Sequence, residues 1–585
     1  MKKYILLNAK LLLYCLAFSQ QFTPVSIGDI VNTPSDSRSC HFIDFDGDFF
    51  DDIFITNGPA SGQNNMLYLN EGGRFRTVTN DPIVQDNGKS VGATFGDVDN
   101  DGDLDAFVTT WYGQRNFFYR NNGNQTFTFE AETANSVGTF SETAAFGDYD
   151  RDGWLDLYVT NSTDFVTNTD AIKRNQLWHN QKDGTFERIS EGEIVRDPNI
   201  SRSVQWVDYD QDGDTDLWLA NEESEPNYLY ENNNGVFSKR TDIGLNDLNL
   251  SSTGSSWGDV DNDGDLDLFV ANFGNQFNQL FINEGAAGFR EDQSSALRER
   301  SCSFGSAFAD FDNDGDLDLF VTNGFSEGEL TNFLYQNDGK GNFTKDETSI
   351  ASLSTNCSYG AAWGDIDWDG YLDLVIANCK GGAALSPANT LLRNNGGSNR
   401  FIYFQLEGVQ SNRSAIGSII RVKANINGED VWQMRKVSAQ SGYCGQSSLR
   451  QHFGLGNAAI IDTTIIEWVS GARDTIANLP SGATFTLLET PVSQIENVAS
   501  LLPIQLQLMP NPTTSGSLRY TVTGDFTWIN HSVLEVIDVE GKQRIHQSIH
   551  ASSGTLDISQ LAAGIYFVRI RQRNRIGRWE RISVF

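Results

Sequence analysis

Short apolar runs alternate with small, polar turns along the chain, and one such unit repeats through its first two-thirds. A strand of small residues comes first, as in Val91-Gly-Ala-Thr-Phe-Gly96. An aspartate-rich turn follows, then an apolar run such as Leu266-Asp-Leu-Phe-Val-Ala271. In that unit a third segment, Gln279-Leu-Phe-Ile-Asn283, leads through a glycine-rich turn to a fourth that opens with Phe289. Short runs bounded by Gly, Asp and Asn read as strands, and four in succession predict one four-stranded sheet per repeat. The unit recurs about every 53 residues, a propeller-blade spacing and not that of a helical solenoid.

Two regularities support a ring. An aromatic stands two residues before each turn: Phe42, Phe95, Phe146, Trp206, Trp257, Phe308 and Trp363. One ring at one fixed position predicts packing between blades. A phenylalanine opens the outer strand ahead of every turn: Phe75, Phe127, Phe186, Phe237, Phe289 and Phe343, with Phe22 serving the first. Residues 22–27 are therefore expected to add the fourth strand to the seventh blade, closing the ring and removing its open sheet edges. The cadence stops near Asn399. Strand-like runs at Ile402–Leu406, Ser418–Ala424, Thr463–Val469 and Ala483–Leu488 predict a small β-rich domain over 399–489. A linker (490–503) leads to a final β unit, 504–585. The expected fold is all-β: a seven-bladed β-propeller over 22–398, the β-rich domain, and a C-terminal β-sandwich.

Composition narrows the chemistry. With 42 basic and 77 acidic residues the formal charge is −35. Such a surface repels phosphate backbones and anionic membranes, so nucleic acid is excluded as a partner and metal cations are favoured. Residues 1–19 read as a secretory signal, with Lys2 and Lys3, an apolar run to Phe18, and a small-x-small site at Ala17 and Ser19. Lys10 interrupts that run, Tyr14 is too bulky to precede a lipidated Cys15, and no later segment is apolar enough to span a membrane. Five cysteines remain: Cys40, Cys302, Cys357, Cys379 and Cys444. Their odd number and wide spacing suit neither a disulfide framework nor a zinc site. Cys302 and Cys357 stand at equivalent places in adjacent repeats, as a pair across blades or, by preference, two half-buried thiols.

The turns carry the chemistry. Each reads Asp-x-Asp-x-Asp followed by x-x-x-Asp, with glycine at the sixth position in all but the first. Acids on alternate residues of a tight turn are what calcium asks for: six to eight hard oxygens, carboxylates foremost. The candidate ligands are Asp44, Asp46, Asp48 and Asp52 in the first repeat, and Asp97, Asp99, Asp101 and Asp105 in the second. They continue with Asp148, Asp150, Asp152 and Asp156; Asp208, Asp210, Asp212 and Asp216; and Asp259, Asp261, Asp263 and Asp267. The last two sets are Asp310, Asp312, Asp314 and Asp318, and Asp365, Asp367, Asp369 and Asp373. The seventh position, Asp103, Asp214, Asp265 and Asp316 in four repeats, is expected to add a carbonyl oxygen. Phe49 replaces the glycine in the first loop, making it the weakest of up to seven Ca2+ sites. Crowding four carboxylates without a cation costs several kcal/mol or forces protonation, and structural calcium follows. No catalytic set emerges: the six histidines, at 41, 179, 452, 531, 546 and 550, are scattered, and the clustered acids are assigned to metal.

The repeat resembles the FG-GAP/VCBS family, as in the integrin α-chain propeller. The phrases Ser411-Asn-Arg-Ser-Ala-Ile-Gly417, Ser441-Gly-Tyr-Cys444 and His452-Phe-Gly-Leu-Gly456 resemble the ASPIC/UnbV domain of the cartilage acidic protein family. Cysteine at 444 departs from that pattern. His452 and Arg413 could touch a ligand there, although a histidine beside Phe453 in a strand suits a structural role better. Pro510-Asn-Pro512, the turn at Gly541-Lys542 and Gly564-Ile-Tyr-Phe-Val-Arg-Ile570 resemble the sorting domain of the type IX secretion system of Bacteroidetes. These resemblances imply export through the outer membrane by that machinery, to the cell surface or beyond. They also imply a calcium-dependent module binding an extracellular protein or polysaccharide, with a polysaccharide lyase as the alternative. The segments Asn161 to Asn175 and Asn323 to Asn332, between second and third strands, are the expected ligand contacts.

Overall fold

The structure is a computed structural model. It describes residues 21–490, apart from 135–139, 164–168, 246–249, 326–329, 354 and 382–385, and the strands of the last unit beyond 503. The signal segment, the linker, and the Pro510–Pro512 and Gly541–Lys542 motifs lie outside the described residues.

Each repeat forms a four-stranded antiparallel sheet. In the fifth, Ser252–Gly258 pairs with Asp267–Asn272, which pairs with Gln279–Asn283, which pairs with Phe289–Glu291. Equivalent sheets begin at Ser37, Ser90, Ser141, Ser201, Ser303 and Cys357. The innermost strands adjoin one another in sequence, and that of the seventh sheet adjoins that of the first. The ring closes as its outer phenylalanines predict: Phe22–Pro24 completes the seventh sheet, pairing Phe22 with Asn394. The paired strand ends at Pro24, short of residue 27: Val25 N–H still reaches Leu391 O at 2.9 Å, and by Ile27 the chain is exposed.

The aromatics before each loop pack between blades. The glycine that ends one inner strand seats the ring of the next: a Cβ on Gly147 would lie 2.4 Å from Trp206, and one on Gly364 2.5 Å from Phe42. Phe42, Phe95 and Phe146 are almost fully buried.

The seventh blade corrects the cysteine reading. Cys357 and Cys379 face each other across adjacent strands, Cα atoms 5.1 Å apart, and form a disulfide. Cys40, Cys302 and Cys444 are free thiols. Sequence position could not show that the partner of Cys357 lies at the far end of its own hairpin.

Residues 400–488 form a three-stranded sheet and the four-stranded sheet Glu429–Lys436, Ile419–Ile426, Ile460–Glu467, Arg473–Pro480. Their core is continuous with the second and third blades: Phe107, Phe146 and Leu155 cluster with Phe404, Ile420 and Phe453. In the last unit two sheets share a core of Leu518, Leu534, Val536, Leu556 and Val568, a sandwich. The whole is β-rich, and no helix among the described residues is long and apolar enough to cross a membrane.

Candidate metal centres and the surface that covers them

Each aspartate loop joins an innermost strand to the second strand of its blade. The turn needs two left-handed residues. At the fourth position Asn100, Arg151, Gln211, Asn262, Asn313 and Trp368 have φ of 56–62°. At the sixth, Gly102, Gly153, Gly213, Gly264, Gly315 and Gly370 have φ of 88–105°, the conformation for which glycine has no Cβ penalty. In the first loop the order is exchanged: Gly47 takes the fourth position (φ 72°) and Phe49 the sixth (φ 73°). The backbone is nonetheless the same. Phe49 N–H donates to Asp44 Oδ2 at 3.0 Å, as Gly102 N–H does to Asp97 Oδ2 at 2.7 Å and Gly370 N–H to Asp365 Oδ2 at 2.9 Å.

The first, third and fifth aspartates converge. Asp44, Asp46 and Asp48 bring carboxylate oxygens within 4.8 Å of one another, as do Asp97, Asp99 and Asp101, Asp148, Asp150 and Asp152, and Asp208, Asp210 and Asp212. The ninth-position carboxylates do more than line a site. Asp267 accepts Asn283 N–H at 2.8 Å and Val260 N–H at 3.0 Å, and Asp373 likewise takes Asn394 and Ile366. These buried carboxylates tie the loop to the third strand. At the seventh position the N–H groups of Asp103, Asp214, Asp265 and Asp316 brace the fifth aspartate, as Asp214 does Asp212 at 2.8 Å.

Burial and crowding make these acids reluctant to ionise. Desolvation, reinforced by neighbouring aspartates, pushes Asp44, Asp97 and Asp259 up to about 7, Asp105 to about 8 and Asp52 and Asp216 to about 9. Several oxygens lack a protein donor. Both of Asp259, 1% exposed, are unpartnered, as are Asp261 Oδ1, Asp44 Oδ1, Asp208 Oδ1, Asp367 Oδ1 and Asp318 Oδ2. Buried carboxylate oxygens with no donor call for a cation.

Sequence reasoning missed side chains that answer part of this charge. Arg120 on a third strand reaches Asp99 at 3.1 Å and Asp105 at 2.9 Å, Arg393 pairs with Asp367, and Lys182 with Asp152 at 3.2 Å. His179, equivalent to Arg120, bonds Asp156 at 3.0 Å, which raises it to about 9.

It also missed an inter-blade ladder. An asparagine at or next to the end of each third strand donates through Nδ2 to a carbonyl in the preceding blade's loop. Asn70 reaches Ile366, Asn121 Phe45, Asn180 Val98, Asn232 Tyr149, Asn283 Tyr209, Asn337 Val260 and Asn394 Phe311. The recurrent Asn before each glycine-rich turn was the available signal.

The loops are not open to solvent on every side; the second unit sits on them. Ser414 Oγ accepts Asp97 N–H at 3.0 Å, Gly454 N–H reaches Asp310 Oδ2 at 3.0 Å, and Tyr403 OH reaches Asp365 Oδ2 at 3.0 Å. Arg421 bonds Gly264 O and Gln211 of the fifth and fourth blades. Arg450 pairs with Asp51 at 2.8 Å beside the first loop. His452 is a structural residue: 7% exposed, stacked near Phe401 and Tyr403, with Nε2 3.3 Å from Gly370 O. Arg413 pairs with Glu407.

From this unit residues 438–450 enter the axis of the ring. Gln446 accepts Phe42 N–H through its carbonyl and Phe95 N–H through Oε1, both at 2.9 Å. Tyr443 and Cys444 reach the opposite end of the inner strands, packing with Val91 and Phe304. There Tyr443 OH donates to Glu142 at 3.0 Å, and Glu142 pairs with buried Arg202, which also holds Glu222. Around this tip lie Trp111, Phe273, Phe325 and Tyr359, half-buried or exposed, with Arg38 4.5 Å over the Tyr359 ring.

The fold and its loops define an aspartate-looped β-propeller. More narrowly, the chain belongs to the FG-GAP-like repeat family, whose model matches residues 44–108, 97–159, 161–219, 208–270, 259–321 and 310–376. It also carries an ASPIC and UnbV domain (408–494) and a secretion system C-terminal sorting domain (507–582). The sorting domain marks the chain for export by the type IX machinery, to the surface or the medium. Cartilage acidic protein 1 of Mus musculus is 26% identical over 268 residues, covering 44% of this chain and 40% of that protein. The Homo sapiens protein of that name is 23% identical over 489 residues, 76% of this chain and 70% of its own length. Among solved structures, a protein from Lactobacillus plantarum (12% identity, TM-score 0.36) covers 54% of this chain and 84% of its own. The SapL1 lectin in complex with alpha methyl fucoside (11%, TM-score 0.34) covers 56% and 100%.

Proposed function

We propose that this chain is an extracellular binding module: a calcium-fixed disc that presents the face opposite its aspartate loops to a polysaccharide or protein. The observation that carries this reading is the covering of the loop face by the ASPIC/UnbV unit, which leaves the opposite face for a partner. That face bears partly exposed rings, Trp111, Tyr112, Phe273, Phe325 and Tyr359, beside Arg38 and Lys89. Aromatic faces stack on sugar rings, and the neighbouring cations suit acidic sugars, which favours a polysaccharide. The segments 161–175 and 323–332 flank this face, in part outside the described residues.

Calcium fits the loops: hard carboxylate oxygens on alternate residues, several of them buried without a donor. Asp44, Asp97, Asp148, Asp208, Asp259, Asp310 and Asp365, each with its third- and fifth-position aspartates, would hold it. When bound it supplies positive charge that lets these turns stay ionised and ordered. The chain's own residues do the rest: the asparagine ladder carries the order of each loop to its neighbour.

One observation favours the second reading, a polysaccharide lyase. Glu142 is buried at the axis under Tyr443, and burial raises its carboxyl to about 7. A glycan array probed with and without calcium, run beside an ultraviolet assay on uronic-acid polymers, separates the two. Calcium-dependent retention without unsaturated products supports binding; unsaturated products overturn it.

A further inference from the structure

The first loop departs from the other six at its fourth, sixth and eighth positions, the fourth being Gly47 as described above, and the other two need support from outside. Phe49 stands where they have glycine, and Asp51 stands where they have Leu104, Leu155, Thr215, Leu266, Leu317 and Leu372. A bulky residue at φ 73° is strained, and such strain persists only where the surroundings over-determine it. A buried carboxylate likewise needs a partner. One side chain from the ASPIC/UnbV unit answers both. Arg450 donates through Nη1 to Phe49 O at 2.8 Å and through Nη2 to Asp51 Oδ2 at 2.8 Å, while Ser448 Oγ donates to Asp51 Oδ1 at 3.0 Å. The ion pair is almost wholly buried, with side chains 4% and 3% exposed.

The same guanidinium lies 4.7 Å from the ring of Trp368, the bulkiest of the left-handed fourth-position residues, in the seventh loop. It lies 5.5 Å from Tyr403, whose hydroxyl bonds Asp365 of that loop. Arg450 thus sits across the joint between first and last blades, where the ring is completed by its own N-terminal strand.

We propose that Arg450 is the positioning residue for the first blade's metal site, so that this site belongs to two domains and forms fully only when the ASPIC/UnbV unit is docked. By linkage, calcium in the first loop and docking of the unit stabilise each other. The inference rests on the calcium reading of the loops, and it explains how a loop without the expected glycine keeps the same turn.

The test is calcium content by mass spectrometry after dialysis of the full chain against graded free calcium. At the concentration that just saturates the wild type, R450A should hold one ion fewer, its first site weakened about tenfold by the released left-handed strain. A consensus loop, F49G/D51L with R450M, removes the strain and the buried charge together and should regain that ion. It decides the matter even if R450A does not fold. Equal calcium in R450A and wild type at every concentration would overturn the inference, as would failure of the triple variant to regain the ion. A wild type that takes up no calcium would instead overturn the calcium reading of all seven loops.

Discussion

Calcium should change how acid acts on this protein. Without metal, the carboxyls of Asp44, Asp97 and Asp259 are held up to about 7 by burial and neighbouring aspartates, against about 3.9 in an unfolded chain. A carboxyl raised by folding stabilises the folded state when protonated. That stability is fully present below about pH 4 and is lost as pH rises through about 7. Taking the calcium-free chain from about pH 8 to about pH 5 should therefore add roughly 3 kcal/mol for the 1%-exposed Asp259 alone. With calcium bound the protons are competitors. A site at ten times its dissociation constant contributes about 1.4 kcal/mol, and acid erodes it. Scanning calorimetry in calcium and in chelator across this range should show the calcium-induced rise in Tm shrinking as pH falls. The chelated protein should gain a few degrees over the same interval. A calcium increment that grows on acidification, or a chelated protein that loses stability down to about pH 5, would refute the reasoning.

Other substitutions probe the supports of the disc. Asn283→Ala removes hydrogen bonds to Tyr209 O and Leu266 O and leaves Gly285 N–H without Oδ1; denaturant titration should show a loss of about 2–4 kcal/mol. Cys357→Ser opens a disulfide spanning 22 residues and should cost about 3 kcal/mol by the loop-entropy relation, read by comparing midpoints with and without reductant. Gly370→Ala places a Cβ 1.9 Å from Phe401 at a φ of 90°. It should loosen the ASPIC/UnbV unit and speed proteolysis near residue 399. Tyr443→Ala empties a nearly buried site at the axis and should cost about 3–5 kcal/mol, with altered near-ultraviolet circular dichroism from the surrounding rings.

Much of this was legible in the residues because the repeat is strict. Four apolar runs and one acidic turn, seven times over, define the sheets, and the outer phenylalanines give ring closure down to Phe22. The loops were legible as clusters of acids, but not the division of labour within them: only geometry shows that Asp267 and Asp373 spend both oxygens on backbone N–H groups. The ladder of asparagines was in view and unread, because a single Asn before glycine looks like an ordinary turn former. What lay beyond reach was tertiary. No local pattern says that Arg450 crosses to Phe49 and Asp51, or that Cys357 meets Cys379 within one hairpin. Nor does any pattern say that 438–450 fill the axis.

That axial segment bears on the order in which the molecule assembles. The strand that seals the ring pairs residues as distant in sequence as Phe22 and Asn394, and the filling of its middle comes later still in the chain. Phe42, Phe95 and Trp363 each find a hydrogen-bond acceptor for their N–H groups only on that late segment. A nascent chain ending near residue 398 would therefore lack the acceptors that line its bore, and its inner edge would face water until residues 438–450 were made.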